Sequence, residues 1–351
     1  LNGEVQYSET RGDPLCRDQM MGAGMKTVLA AAAAIAFALA GSAAAQEFPT
    51  APVTMVVPFP AGGPTEHVGQ RLAGAMGDFL GQPVTVTTVE GAGGVLGATQ
   101  VAAAQPDGYT ILLYHIGMAT TPTLVADLPF DPLTDFAEIG LAVTVPMVII
   151  GRSDLGPTDL AGLVTMIREN PGRLRMAHLG TGSGSYLCAL LFTEELGLDI
   201  ELIAYPALAT AAGDVANGAV DLMCDQTTAP GRAPAGRTIL IQGIPVTAFA
   251  IMSAERIPML AEVPTVAEEG FPELAIEIWH GLWAPAGTPP ATVERLTLAL
   301  QAALANPDVA ATLTGLGAEL PPIEAQRPEA LHALVAAEIE HWRGLLEGMA
   351  P

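Results

Sequence analysis

Lysine is almost absent from this chain of 351 residues. Lys26 stands alone beside 13 arginines, against 37 acidic residues, for a formal net charge of −23. A nucleic-acid partner requires a basic footprint, so none is expected. With no lysine beyond position 26, Schiff-base chemistry, a P-loop ATPase and a kinase are excluded in their usual forms. Cysteine is scarce too, at Cys16, Cys188 and Cys224. No C-x-x-C pair and no metal-type histidine spacing occurs, so neither metal nor cofactor is expected. The six histidines form no H-E-x-x-H pattern, and Ser183 and Ser185 lack the flanking glycines of a G-x-S-x-G nucleophile elbow. Half of the residues are hydrophobic and only 15% are charged. Sizeable cores can therefore form, and the length suits two domains.

The longest apolar run, Thr27 to Ala40, is too short for a comfortable membrane span. It follows Lys26 and precedes Gly41-Ser42-Ala43-Ala44-Ala45. A positive start, a short apolar stretch and an A-x-A site predict a signal peptide over 25–45, cleaved after Ala45 and directing the chain to the periplasm. The alternative is an uncleaved membrane anchor. Residues 1–24 read as a leader upstream of Met25. Cleavage removes four acidic and three basic residues, leaving 33 acidic residues against 11 arginines. Cys188 and Cys224 remain. They are expected close in space, either paired in an oxidising compartment or as buried thiols.

Three strand–glycine–helix units follow. Val53 to Val57 reads as a buried strand. It runs through Pro58-Phe59-Pro60-Ala61-Gly62-Gly63 into a helix opened by Pro64-Thr65-Glu66 and stopped at Gly81, with Val68, Leu72, Met76 and Leu80 on one face. Val84 to Val89 is a second strand, followed by Glu90-Gly91-Ala92-Gly93-Gly94 and a short helix over 95–104. A strand from Thr110 to Tyr114 comes next. The third unit is a strand over 174–179, the turn Gly180-Thr181-Gly182-Ser183-Gly184-Ser185, and a helix over 186–196. Such alternation predicts an α/β fold with a mostly parallel sheet.

Glycine turns at strand ends let main-chain N–H groups converge, and a following helix adds its positive end. An acidic protein can thereby hold an acidic solute without lysine or arginine. Glycines used only for tight connections are the plainer reading of any single loop; three loops together favour an anion site. One alternative is a secreted NAD(P)-dependent α/β oxidoreductase, from the loose fingerprint Gly91-x-Gly93-x-x-x-Gly97. Another is a secreted interaction protein with a vestigial cleft.

The ordered set Val56-Val57-Pro58-Phe59-x-x-Gly62-Gly63-Pro64-Thr65, Gly91-Ala92-Gly93-Gly94 and Pro106-Asp107-Gly108-Tyr109-Thr110 resembles the Bug-type solute-binding receptors of tripartite tricarboxylate transporters. The likeness continues through Gly218-x-Val220-Asp221-Leu222-Met223 and Val263-Pro264-Thr265-Val266, and on to Gly281-Leu282-x-Ala284-Pro285, covering most of 49–345. The resemblance implies a periplasmic binding protein of type II-like form, with two Rossmann-like lobes and a ligand cleft between them. It implies a non-enzymatic, monomeric receptor that carries a small organic acid to membrane permease subunits. Lobe one is expected over 46–147 and 248–351, and lobe two over 148–247. The proximal carboxylate would be held by the loops containing Phe59, Ala61, Gly62, Gly63, Pro64 and Thr65 and by Gly93 and Gly94. The second lobe would add Thr181, Ser183, Ser185 and Asp225.

The chain departs from the related receptors at His178, Tyr186, Pro206-Ala207 and Ala229-Pro230, and in a longer stretch before Arg256, so the identity of the solute does not transfer. Among single residues, His115 either bonds solute or supports its loop. Asp225 either meets a solute hydroxyl or ammonium or caps a turn. Ser183 and Ser185 either donate to a carboxylate or cap a helix, with Ser185 fitting the cap at least as well. Tyr205 walls the cleft or packs as core. Trp279 and His280 are expected to support the hinge. Helices over 291–304 and 329–346 are expected to pack on lobe one.

Overall fold

A computed structural model describes residues 48–228 and 237–346. The leader and signal-peptide readings, and Ala229-Pro230, lie outside the described residues. The first segment alternates β1 (Val53–Val57), α1 (Pro64–Leu80), β2 (Val84–Thr88), α2 (Val95–Ala102), β3 (Thr110–His115) and α3 (Gly117–Leu124). The long strand β4 (Phe136–Gly151) leads into α4 (Leu160–Glu169), β5 (Arg175–His178), α5 (Gly184–Glu195), β6 (Glu201–Ala204), α6 (Leu208–Asn217) and β7 (Leu222–Gln226). A hairpin of β8 (Thr238–Ile241) and β9 (Ile244–Ile251) follows. The chain then forms β10 (Glu277–Pro285) and three helices, α7 (Pro290–Ala305), α8 (Pro307–Gly315) and α9 (Pro328–Leu346).

The strands are ordered β2-β1-β3-β10-β4-β7-β5-β6, with β9 also on β4 and β8 on β9. In the first lobe β1 pairs in parallel with β2 and β3, and in the second β5 pairs in parallel with β6 and β7. β10 runs antiparallel to β3 and β4, and β7 and β9 run antiparallel to β4. The sheet is thus mixed, because the crossing and returning strands reverse direction. β4 belongs to both lobes: Phe136 to Pro146 pair with β10, and Met147 to Gly151 pair with β7. β9 stays with the second lobe as far as Ile251.

Local chemistry explains the elements. Pro64 opens α1, Glu66 sits in its first turn, and Gly81 ends it in the left-handed region at φ 72°. The buried face is Val68, Leu72, Met76 and Leu80, as the 3.6-residue spacing predicts. In the second lobe, α6 lays Leu208, Ala211, Ala212 and Val215 against Val148, Ile150, Val220 and Met223. The two expected tail helices are α7 and α9, with α8 inserted between them. Cys188 on α5 and Cys224 on β7 form a disulfide with Cα atoms 6.2 Å apart. Cys188 lies in the second turn of α5 and Cys224 at the centre of β7. Among the described residues no helix is long and apolar enough to cross a membrane.

Candidate functional site: a two-compartment cleft

The carboxyl ends of β1, β2 and β3 face those of β5 and β6 across a cleft of about 850 Å³. Phe59, Gly93, Gly94, Thr181 and Tyr205 line it. Behind it lies a small compartment of about 20 Å³. Thr65, His115, Ser185, Asp225 and Gln226 face it, together with Ser183, Gly63 and Pro64. Ala61 and Gly62 border neither space. Gly62 instead donates its N–H to the Glu66 carboxylate, and its carbonyl accepts from Gln242 Nε2 at 2.6 Å. Gln242 lies in the turn of the β8–β9 hairpin, so this bond links the two lobes.

The loop amides are not all at liberty. Gly63 N–H donates to Pro60 O at 3.2 Å, and Gly94 N–H to Gly91 O at 3.0 Å. Thr65 and Glu66 stand in the first turn of α1, where the main-chain N–H groups have no intrahelical acceptor. They carry the positive end of the helix. Gly93 is held by the Tyr114 hydroxyl, which donates to its carbonyl at 3.0 Å in a buried setting. A Cβ on Gly93, at φ 65°, would overlap the Thr181 carbonyl of the facing lobe. Glycine here is thus required by lobe-to-lobe contact as well as by backbone angle. At Gly63 the backbone is extended (φ −82°), so only close approach to Pro60 O, 2.9 Å from a built Cβ, disfavours a side chain.

Deeper in, a chain of hydrogen bonds fixes the protons. His280, fully buried, lies with Nδ1 3.0 Å from the Ile278 carbonyl, which can only accept. Burial lowers its pKa to about 3, so the ring is neutral and Nε2 is bare. The Thr65 hydroxyl therefore donates to Nε2 at 3.3 Å and turns its lone pairs outward. His280 thus supports the first loop through Thr65, and as part of β10 it also pairs with Val143 of β4 near the crossing. His115 stacks on Phe59 with ring centroids 4.2 Å apart and accepts the Gly117 N–H at Nδ1. Burial, then the neighbouring His280, drives its pKa well down, which leaves its proton on Nε2.

In the second lobe Ser183 Oγ donates to Gly180 O at 2.7 Å and caps α5 by accepting from Tyr186 N–H. The cap is therefore Ser183, not Ser185. Ser185 Oγ, 3.0 Å from Ser183 Oγ, must then donate to it, and it accepts from Leu179 N–H. Both serine protons are consumed inside the protein. In this arrangement neither serine proton is directed at the cleft, and Ser183 takes the helix-cap alternative.

Asp225 is 2% exposed; Oδ1 accepts from Gln226 N–H, and Oδ2 has no partner among the described residues. Burial raises its pKa to about 7. Tyr205 takes both roles left open for it, bordering the cleft and packing against the second-lobe core while its hydroxyl donates to Asp214 at 2.9 Å. Residues that the sequence reading did not place at the site are Tyr114, Gln226 and Gln242. Tyr114 and Gln226 adjoin residues already singled out, whereas Gln242 carries no local signal.

Two α/β lobes facing each other across a cleft, joined by shared and returning strands, define a periplasmic-binding-protein fold. The model of the tripartite tricarboxylate transporter family receptor matches residues 68–350, and the chain belongs to that family. A protein from the TAR-I ttuE-ttuC′ intergenic region of Agrobacterium vitis is 41% identical over 297 residues, covering 85% of this chain and 84% of that protein. Protein BugT of Bordetella pertussis is 32% identical, with coverages of 91% and 97%. Among solved structures, periplasmic binding protein BugD superposes with TM-score 0.79 at 41% identity, covering 86% of this chain and 99% of its own. MatC of Rhodopseudomonas palustris with bound malate gives 0.78 at 37%, with coverages of 85% and 100%. Rpa4515 of R. palustris with adipate gives 0.78 at 30%, with coverages of 87% and 99%. The family is one of transport receptors, binding proteins rather than enzymes.

Proposed function

We propose that this chain is a periplasmic receptor that captures a small organic acid in its cleft and delivers it to the permease of a tripartite tricarboxylate-type transporter. The observation that carries this reading is the composition of the cleft. Among the described residues no lysine or arginine lines either compartment, while helix N-termini and glycine-loop amides converge there. Such charge-assisted main-chain bonds are worth about 1.5–3 kcal/mol each, so a few suffice for a carboxylate. The malate and adipate complexes of the related structures support the same class of ligand. The proposed mode of action is capture between the lobes, closure, and recognition of the closed surface by the permease. We place the lobe boundaries at 146/147 and just after Ile251, and take the receptor to act as a monomer. Periplasmic residence rests on the export segment read at 25–45.

A thermal-shift screen of mono-, di-, tricarboxylic and aromatic acids on the processed protein tests the proposal. A ligand at 100 times its Kd adds about 2.7 kcal/mol of stability. Stabilisation by a nicotinamide dinucleotide alone, with no response to any acid, would overturn it in favour of an oxidoreductase.

A further inference from the structure

The hydrogen-bond ledger of the inner compartment is unbalanced. Thr65 Oγ1 has given its proton to His280 and offers only lone pairs. Ser185 Oγ has given its proton to Ser183 and keeps one lone pair. Asp225 Oδ2 and Gln226 Oε1 are buried with no partner among the described residues. Against these four acceptors, the side-chain donors are the His115 N–H on Nε2 and the Gln226 amide NH2, neither of which bonds to Asp225 Oδ2. Buried acceptors left unpaired are costly, and among the described residues no arginine or lysine borders the compartment to pair with them. Its volume of about 20 Å³ admits one water-sized group, so a three-atom carboxylate does not fit.

From this we infer that the inner compartment selects solutes bearing a compact hydrogen-bond donor, a hydroxyl or an ammonium, beside the carboxylate held at the loops. This rests on the receptor reading above and narrows it from organic acids in general to hydroxy or amino acids. Asp225 is the specificity-determining residue. Among the described residues no cation meets its buried carboxyl, and a solute donor completes it. Gln226, Thr65 and Ser185 supply further acceptors around the same point. An ammonium, with three N–H donors and a charge opposite to that of Asp225, can satisfy more of them than a hydroxyl can.

The test compares acids of one carbon skeleton by calorimetric titration: succinate, malate and aspartate, and likewise glutarate, 2-hydroxyglutarate and glutamate. In the skeleton that binds, a donor-bearing member is expected to bind at least tenfold tighter than the bare acid. Asp225→Asn keeps the volume and one acceptor oxygen while removing the charge. It is expected to weaken an amino acid tenfold or more and a hydroxy acid about threefold, which identifies the donor. Asp225→Ala, checked for folding by circular dichroism, should bring donor-bearing and bare acids within about threefold of each other. Equal or tighter binding of the bare acid to the wild-type protein, most of all if acid pH strengthens it, would overturn the inference. It would show instead a protonated Asp225 donating to carboxylate, and the receptor reading would stand. Failure of every acid to bind, while the chain remains folded, would overturn both.

Discussion

The first-lobe loop at Phe59–Thr65 and the second-lobe turn at Gly180–Ser185 share one grammar. Each follows a parallel strand, is rich in small residues and ends at a helix N-terminus. Their outputs are opposite. The first loop has no side-chain cap on its helix: Gly63 stands at the N-cap, and the leading amides of α1 remain exposed to the cleft end. The second places Ser183 at the N-cap and closes its two serine hydroxyls on Gly180, Tyr186 and Leu179. A capping serine satisfies a helix end that would otherwise recruit a ligand. One residue at the cap therefore separates an anion-attracting turn from one whose serine protons are both committed.

Four measurements break or sharpen that contrast. The second lobe should owe more of its stability to covalent closure. The Cys188–Cys224 bond spans 36 residues of sequence, for which chain entropy predicts about 3–4 kcal/mol. Chemical unfolding of Cys188→Ala/Cys224→Ala should show a loss of that size, and an unchanged midpoint would remove the disulfide from the account. Next, Gly93→Val should cost at least about 2 kcal/mol of solute affinity, comparable to one or two charge-assisted bonds. Gly63→Val should cost less, since its backbone angles suit any residue. Calorimetric titration that reversed this order would show that close approach at position 63 outweighs contact with Thr181 at position 93.

A smaller effect is expected from Gln242→Ala. Loss of its bond to Gly62 O should weaken binding by about 0.5–1.5 kcal/mol, and should also loosen the closed form in small-angle scattering. Unaltered affinity and scattering would mean that the hairpin contributes nothing to closure. The least effect on affinity belongs to Arg152→Ala and Arg175→Ala. Arg152 pairs with Asp221 and Asp154 away from the cleft, and screening limits its reach to solute. Each variant should bind within about 0.5 kcal/mol of wild type; abolished binding in either would contradict a main-chain anion site.

Much of the first lobe was legible because short-range chemistry dictates it. Pro64, Glu66, the 3.6-residue stripe and Gly81 delimit α1 to the residue, and valine-rich runs locate β1 and β2. Elements without such markers escaped notice. α3 carries Pro122 inside it, and β4 is interrupted by Gly140 and Pro146, so neither shows a clean period. The candidate site divides the same way. Phe59, Gly93, His115 and Asp225 were visible as residues at strand ends. Where the hydroxyl protons of Thr65, Ser183 and Ser185 go depends on carbonyls and a histidine brought in by the fold, and no spacing in the chain encodes that. Gln242 reaches Gly62 across 180 positions, a distance over which local pattern is silent.

Pro146 marks the place on β4 where one lobe's ladder ends and the other's begins, its neighbour Met147 being the first residue paired with β7. Its pyrrolidine ring pins φ near −65°, so of the two backbone torsions at this crossing only ψ is soft. A second strap, Met252, bonds to Met147 O at 2.8 Å and accepts from Ile276 N–H at 2.9 Å. The junction between the lobes is thus stiffened at a single torsion on one strap and clamped by main-chain hydrogen bonds on the other.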